Sequence, residues 1–150
     1  MLAEDTKFMQ AALQQAEKAA DEGEVPIGAI VVHQGAIVGE GHNQSRALND
    51  PTAHAEVLAL RNAAAKLGSY RLTDVSLYVT VEPCLMCSGA LLEARIGRLV
   101  FGAREPKTGA VISTAETLMS SRCQHRVAVT EGVLQADCAQ LMQSFFKSKR

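Results

Sequence analysis

Tryptophan is absent and aromatic residues are scarce, four Phe and two Tyr in 150 residues, so the chain has no broad platform on which successive unstacked bases would lie. Charge of one sign is lacking too. A formal net charge of -1 argues against a general nucleic-acid coat protein, whose footprint is strongly basic. No stretch is apolar enough to span a bilayer, and the opening "MLAEDTKFMQ" sets Glu4, Asp5 and Lys7 where a signal peptide needs an apolar run. Low-complexity tracts and repeats of fixed period are missing, which removes disordered and solenoid readings. Cysteines number only four. The expectation is a soluble, cytoplasmic protein, whose reducing surroundings leave thiols free for metal binding or catalysis and make structural disulfides improbable.

What is present is the material of a globular domain: 47% hydrophobic and 21% charged residues, in a length that fits one domain over residues 1–150 with a real core. Acids concentrate before residue 25, and Lys147, Lys149 and Arg150 close the chain. Three bases in a row of four are a weak sign of a phosphate-bearing partner and equally the mark of a solvated helix end.

Periodicity predicts a helix over residues 5 to 22, ended by Gly23 and Pro26. "IGAIVV" and "AIVGEG" read as a hairpin turning through His33, Gln34 and Gly35. A polar loop follows, then a helix over residues 53 to 67, with Thr52 or Asp50 available to its first free amides. "VSLYVTV" reads as a buried strand that hands over, at Pro83, to a helix through "CLMCSGALLEAR". "RLVFGA" and "HRVAVTEG" are two further strands, residues 113 to 122 are ambiguous between loop and short helix, and residues 134 to 150 form a last helix. Its apolar stripe is Leu134, Cys138, Leu141, Met142, Phe145 and Phe146. Strands alternating with helices predict an α/β fold, three-layer α-β-α, with a central mixed five-stranded sheet because of the opening hairpin.

Two strand-to-helix junctions carry chemistry, "DPTAHAEV" and "VEPCLMC", and junctions of this kind gather at one sheet edge, where ligands bind. Cys84 and Cys87 stand at i and i+3 at a helix start, where free amides and the dipole favour thiolate. His54 adds an imidazole, and two sulfurs with one nitrogen suit Zn²⁺. Structural zinc takes four protein ligands, whereas catalytic zinc keeps a position for water. Three convincing ligands are present: Cys138 falls on an apolar stripe and Cys123 has no partner spacing. Glu56, two residues after His54, is placed to move protons to and from such a water without ligating the metal. A redox dithiol would leave His54 and Glu56 without a role. His33, His42 and His125 read as solvated or packed, the last two with a possible substrate contact.

The pairing of His-x-Glu with Pro-Cys-x-x-Cys about 30 residues downstream resembles the zinc nucleobase deaminases. Over nearly the whole length the chain resembles their bacterial tRNA adenosine deaminase branch: "EVPIGAIVV", Asn43 in "GHN", "DPTAHAE", "LYVTVEPCLMC", "ARIGRLVFGA", "KTGA", "HRVAVTEGVL" and "FFKSKR". That resemblance implies a cytidine deaminase-like fold, one zinc per subunit on His54, Cys84 and Cys87, and Glu56 as the proton shuttle. It further implies that Asn43 and the backbone at Ala55 hydrogen-bond the adenine edge. Lys107 and the Phe146 region would contact RNA around a flipped base, and a carboxylate before "KTGA" would reach a ribose hydroxyl. Here that carboxylate is Glu105, followed by Pro106, where the family commonly has Asp. The implied reaction is hydrolytic conversion of adenosine to inosine at the wobble position of a tRNA anticodon loop, by a homodimer, with a tRNA anticodon stem-loop as partner and no membrane. A related enzyme acting on free guanine or cytosine is the competing reading, since the two zinc-site motifs are shared across that superfamily.

Overall fold

The computed structural model describes residues 2–120 and 123–149. Arg150 of the basic tail, and Ser121 and Arg122 at the end of the ambiguous segment, lie outside the described residues. Helix α1 (Asp5–Asp21) leads into a hairpin of β1 (Gly28–His33) and β2 (Ala36–His42), followed by α2 (Ala55–Leu67) and β3 (Val75–Val81). Then come α3 (Leu85–Ala94), β4 (Arg98–Ala103), a single 3-10 turn at Thr117–Met119, β5 (Ala128–Glu131) and α4 (Gln135–Ser148).

The five strands form one sheet in the order β2-β1-β3-β4-β5. β1 runs antiparallel to β2 and β3, while β3, β4 and β5 are parallel. Side chains alternate between two cores, as period two demands. Ala29, Val31, Leu77, Val79, Leu99 and Phe101 pack under α2 and α3. Ile30, Val32, Tyr78 and Val100 face Phe8, Met9 and Ala12 of α1 and Cys138 of α4. The result is the expected three-layer α-β-α arrangement around a mixed sheet.

Helix α2 lies unusually close to the sheet because both surfaces are stripped of side chains. A Cβ on Gly39 would come 2.4 Å from the Ala59 carbonyl oxygen, and one on Gly41 would come 2.5 Å from that of Ala55. Opposite them Ala55, Ala59 and Ala63 are fully buried. This contact fixes the start of α2, and with it the ends of β2 and β3, at one edge of the sheet.

The structure corrects several local expectations. The hairpin turn is Gln34 and Gly35 alone, both at positive φ (52° and 78°), the left-handed pair a two-residue turn requires, and His33 is the last residue of β1, paired with Ala36. Neither Thr52 nor Asp50 caps α2: Asp50 Oδ1 instead accepts from the Thr52 backbone N–H and hydroxyl, at 2.8 and 2.7 Å, closing a turn ahead of the helix. Among its described residues the ambiguous segment holds a helix only as the 3-10 turn at Thr117–Met119. On α4 the apolar stripe is buried only at Cys138, whose thiol burial pushes up to about 12, and Phe146 is 46% exposed.

Candidate active site

Both chemical motifs sit at helix starts. His54 is the N-cap of α2 and Cys84 the N-cap of α3, each with extended backbone, and Cys87 stands in the first turn of α3. β3 ends at Val81, and Pro83, one residue ahead of the Cys84 N-cap, leads the chain into α3. Two helix N-termini therefore converge on one spot and make it favourable for thiolates.

His54 Nδ1 lies 3.6 Å from the Cys84 Sγ and 3.5 Å from the Cys87 Sγ, and the three donor atoms fall within 4.8 Å of one another. A tetrahedral ion about 2.3 Å from sulfur and 2.0 Å from nitrogen has N···S edges of roughly 3.5 Å. The donors thus fit a borderline-soft metal ion in number, chemistry and spacing, and no other group of three or more possible ligands occurs among the described residues. Cys84 is primed to ionise: the Cys87 thiol's hydrogen bond pulls its pKa down to about 4 against burial, with His54 adding to the effect. The imidazole's pKa is raised by its contact with Cys84, again against burial.

Glu56, in the first turn of α2, is buried. Removal from water pushes its carboxyl up to about 7, and the nearby Cys84 sulfur acts in the same direction. A carboxyl held there can both take and give a proton near neutral pH.

These groups open on a cavity of about 770 Å³. Its walls come from Val25 and Ile27 ahead of β1, Asn43 after β2, His54 and Glu56, then Val81, Glu82 and Cys84, residues 105–108, and Met142, Phe146 and Lys149 at the end of α4. The expected residues Asn43, His54, Glu56, Cys84, Glu105, Lys107 and Phe146 therefore share one pocket, while Cys87 and Ala55 are buried behind its wall. Asn43 Oδ1 accepts the Ala55 backbone N–H at 2.8 Å, so Asn43 supplies the α2 cap that Thr52 and Asp50 do not. Its Nδ2 makes no hydrogen bond among the described residues. Glu105 turns back on its own loop, where Oε1 accepts the Lys107 N–H at 3.0 Å.

The remaining histidines and cysteines stay outside the site. His42 pairs with Glu22 at 2.8 Å, His125 Nε2 lies 2.6 Å from the Ile96 carbonyl oxygen, and the Cys123 thiol donates to the Thr117 carbonyl. Three buried carboxylates escaped the sequence reading: Asp5, Glu24 and Glu82. Glu24 accepts the N–H groups of Arg46 and Ala47 at 3.2 and 2.8 Å, and Glu82 gathers the loop after β4. For Glu82 the available signal was a carboxylate directly after the apolar run "VSLYVTV".

A mixed five-stranded sheet with a His-Cys-Cys donor group and a buried glutamate at one edge defines a hydrolytic deaminase. The family model for MafB19-like deaminases matches residues 3–150. A tRNA-specific adenosine deaminase of Streptococcus pyogenes serotype M1 is 47% identical over 99% of this chain and 87% of its own. Another, from Haemophilus influenzae, is 48% identical over 97% of this chain and 85% of its own. A structure from work on A-to-I editing by tRNA deaminases at the wobble position of transfer RNA superimposes with a TM-score of 0.88, at 43% identity over 91% of this chain and 99% of its own. The chain belongs to the MafB19-like deaminase family and, within it, to the tRNA-specific adenosine deaminases.

Proposed function

We propose that the protein hydrolyses adenosine to inosine at the wobble position of a tRNA anticodon loop, releasing ammonia, with one zinc ion per subunit held by His54, Cys84 and Cys87. The observation that carries this reading is the buried Glu56 carboxylate in one pocket with a three-membered donor set. Three ligands leave a position for solvent, which a four-ligand structural site does not. When bound, the ion supplies Lewis acidity that makes water a nucleophile near neutral pH.

The chain's own residues do the rest. Glu56 accepts one proton from the attacking water and gives it to the purine ring as the C6–O bond forms; it then takes the remaining proton from the new C6 hydroxyl and passes it to the amino group as the C6–N bond breaks, so that the C6 carbonyl forms and ammonia leaves. Asn43, oriented by the Ala55 N–H, presents its Nδ2 to an acceptor on the base edge. Lys107 and Lys149 give the rim positive charge for phosphate, and Phe146 offers an exposed ring beside them for an unstacked base. Glu105 stands on the same rim, toward the ribose.

Free guanine is the second substrate to weigh, because a guanine deaminase of Nitrosomonas europaea shares the fold at 26% identity and a TM-score of 0.80. The curated relatives above are nearly twice as similar and carry the tRNA activity in their names. Two further parts of the reading are a homodimer and a cytoplasmic setting. Leu85 and Met86, 66% and 37% exposed on α3 beside the donor group, are apolar surface for a second subunit. No helix among the described residues is long and apolar enough to cross a membrane.

The test is ammonia release from an anticodon stem-loop with adenosine at the wobble position, from free guanine and from free cytosine, each incubated separately. Release with inosine formed only from the stem-loop is expected; release from guanine alone overturns the substrate.

A further inference from the structure

Residues 104–113 form a turn-rich loop whose one sheet-like contact is an isolated bridge between Cys84 and Gly109. Its residues 105–108 make one wall of the cavity. A loop of this kind buries backbone N–H groups with no ladder to join, and each needs an acceptor. A single side chain supplies most of them. Glu82, 3% exposed, accepts the Glu105 N–H on Oε1 at 3.1 Å, and the N–H groups of Val111, Ile112 and Ser113 on Oε2 at 3.1, 2.8 and 2.9 Å. The Ser113 hydroxyl donates to Oε1 as well. Among the described residues no cation pairs with this carboxylate.

The loop is wrapped tightly around the anion. A Cβ on Gly109 would lie 2.4 Å from the Glu82 Cδ, which accounts for glycine in "KTGA". Only a carboxylate meets the demand, since it has acceptor sites on both oxygens and no donor. The neutral amide of glutamine would turn an NH₂ toward N–H groups.

We propose that Glu82 is a positioning residue for RNA recognition: its buried carboxylate sets the loop that holds Glu105 and Lys107 at the pocket rim, so that losing it weakens RNA engagement and leaves the chemical step intact. This rests on the tRNA reading above. Glu82 is one residue from Pro83 and two from Cys84, so a purely local role in the donor segment is the alternative, and metal content separates the two.

The experiment compares the unaltered protein with Glu82→Gln and Ser113→Ala, measuring kcat and KM on the anticodon stem-loop and zinc by elemental analysis. Hydrogen bonds to a charged acceptor are worth enough that Glu82→Gln is expected to raise KM by about tenfold or more, with kcat within about threefold and zinc at one per chain. Ser113→Ala deletes one donor without touching residues 82–84 and is expected to raise KM by about threefold. Unchanged KM in both variants overturns the proposal, as does a Glu82→Gln defect confined to kcat or to zinc content. If Glu82→Gln does not accumulate folded, the KM of Ser113→Ala decides alone. No turnover of the stem-loop by the unaltered protein overturns the tRNA reading and this one with it, whereas turnover with unshifted variants overturns only this one.

Discussion

The Ala55 backbone N–H donates to Asn43 Oδ1 at 2.8 Å, and this one bond joins the loop after β2 to the first turn of the helix that carries His54 and Glu56. It divides the work of the Asn43 amide: the oxygen caps α2, and the nitrogen is left to the cavity.

Two substitutions separate those halves. Asn43→Ala removes the cap and should cost about 1 kcal/mol of stability, seen as a fall of about 2–4 °C in Tm, together with a rise in KM. Asn43→Asp keeps an acceptor at a helix N-terminus, where negative charge is favourable, but has no donor. Its Tm should stay near that of the unaltered protein while KM rises. A normal KM for Asn43→Asp would remove the amide from base recognition.

Glu56→Ala should lower kcat by at least about 10²-fold, the usual loss for a positioned proton-transfer group, and leave metal content unchanged because the three donors remain. Turnover near the original rate would show that another group moves the proton.

Cys87→Ser should empty the metal site, and chelation of the unaltered protein should lower Tm. Because His54 begins α2 and Cys84 begins α3, an ion bound there links two helices and stabilises the folded state by mass action. Zinc added back should restore the melting temperature of the chelated protein but not that of the variant. Full zinc occupancy in Cys87→Ser would take Cys87 off the ligand set.

A buried polar network on the opposite face predicts acid sensitivity. Asp5 receives the Tyr78 hydroxyl at 2.7 Å and two N–H groups of Arg98 at 2.8 and 2.7 Å. The Arg98 hydrogen bonds hold its carboxyl well below the ordinary 3.8, against burial and with Tyr78 assisting. A depressed carboxyl pKa contributes stability that is fully present above the ordinary value and is lost as pH falls below it. Asp5→Asn breaks a buried charge pair and should cost about 3 kcal/mol at neutral pH, and its Tm should then fall less steeply than that of the unaltered protein below about pH 4. Parallel acid profiles for the two proteins would contradict this.

The strands and helices were legible where periodicity was strong: β3 and β4 occupy "VSLYVTV" and "RLVFGA" as read. Legible too was the donor set, because His-x-Glu and Pro-Cys-x-x-Cys are local patterns with local chemistry. The structure's own contribution is long-range. Nothing near Asn43 announces a cap for a helix twelve residues on, and the Asx turn of Asp50 and Thr52 took the residues that looked like caps. Glu82 appears in sequence as a polar end to an apolar strand, and its five donors lie 23 to 31 residues away. In the last helix the apolar spacing alone misled, since it predicts a buried stripe, whereas Phe146 borders the cavity, a place that the family resemblance and not the spacing suggests.

Zinc-edge X-ray absorption on the purified protein reads the ligands of the metal site themselves. One zinc per chain is expected, with two sulfur neighbours at about 2.3 Å and two nitrogen or oxygen neighbours at about 2.0 Å. A protein free of metal after purification in zinc-supplemented buffer, or an ion closed by a fourth side chain, would contradict it.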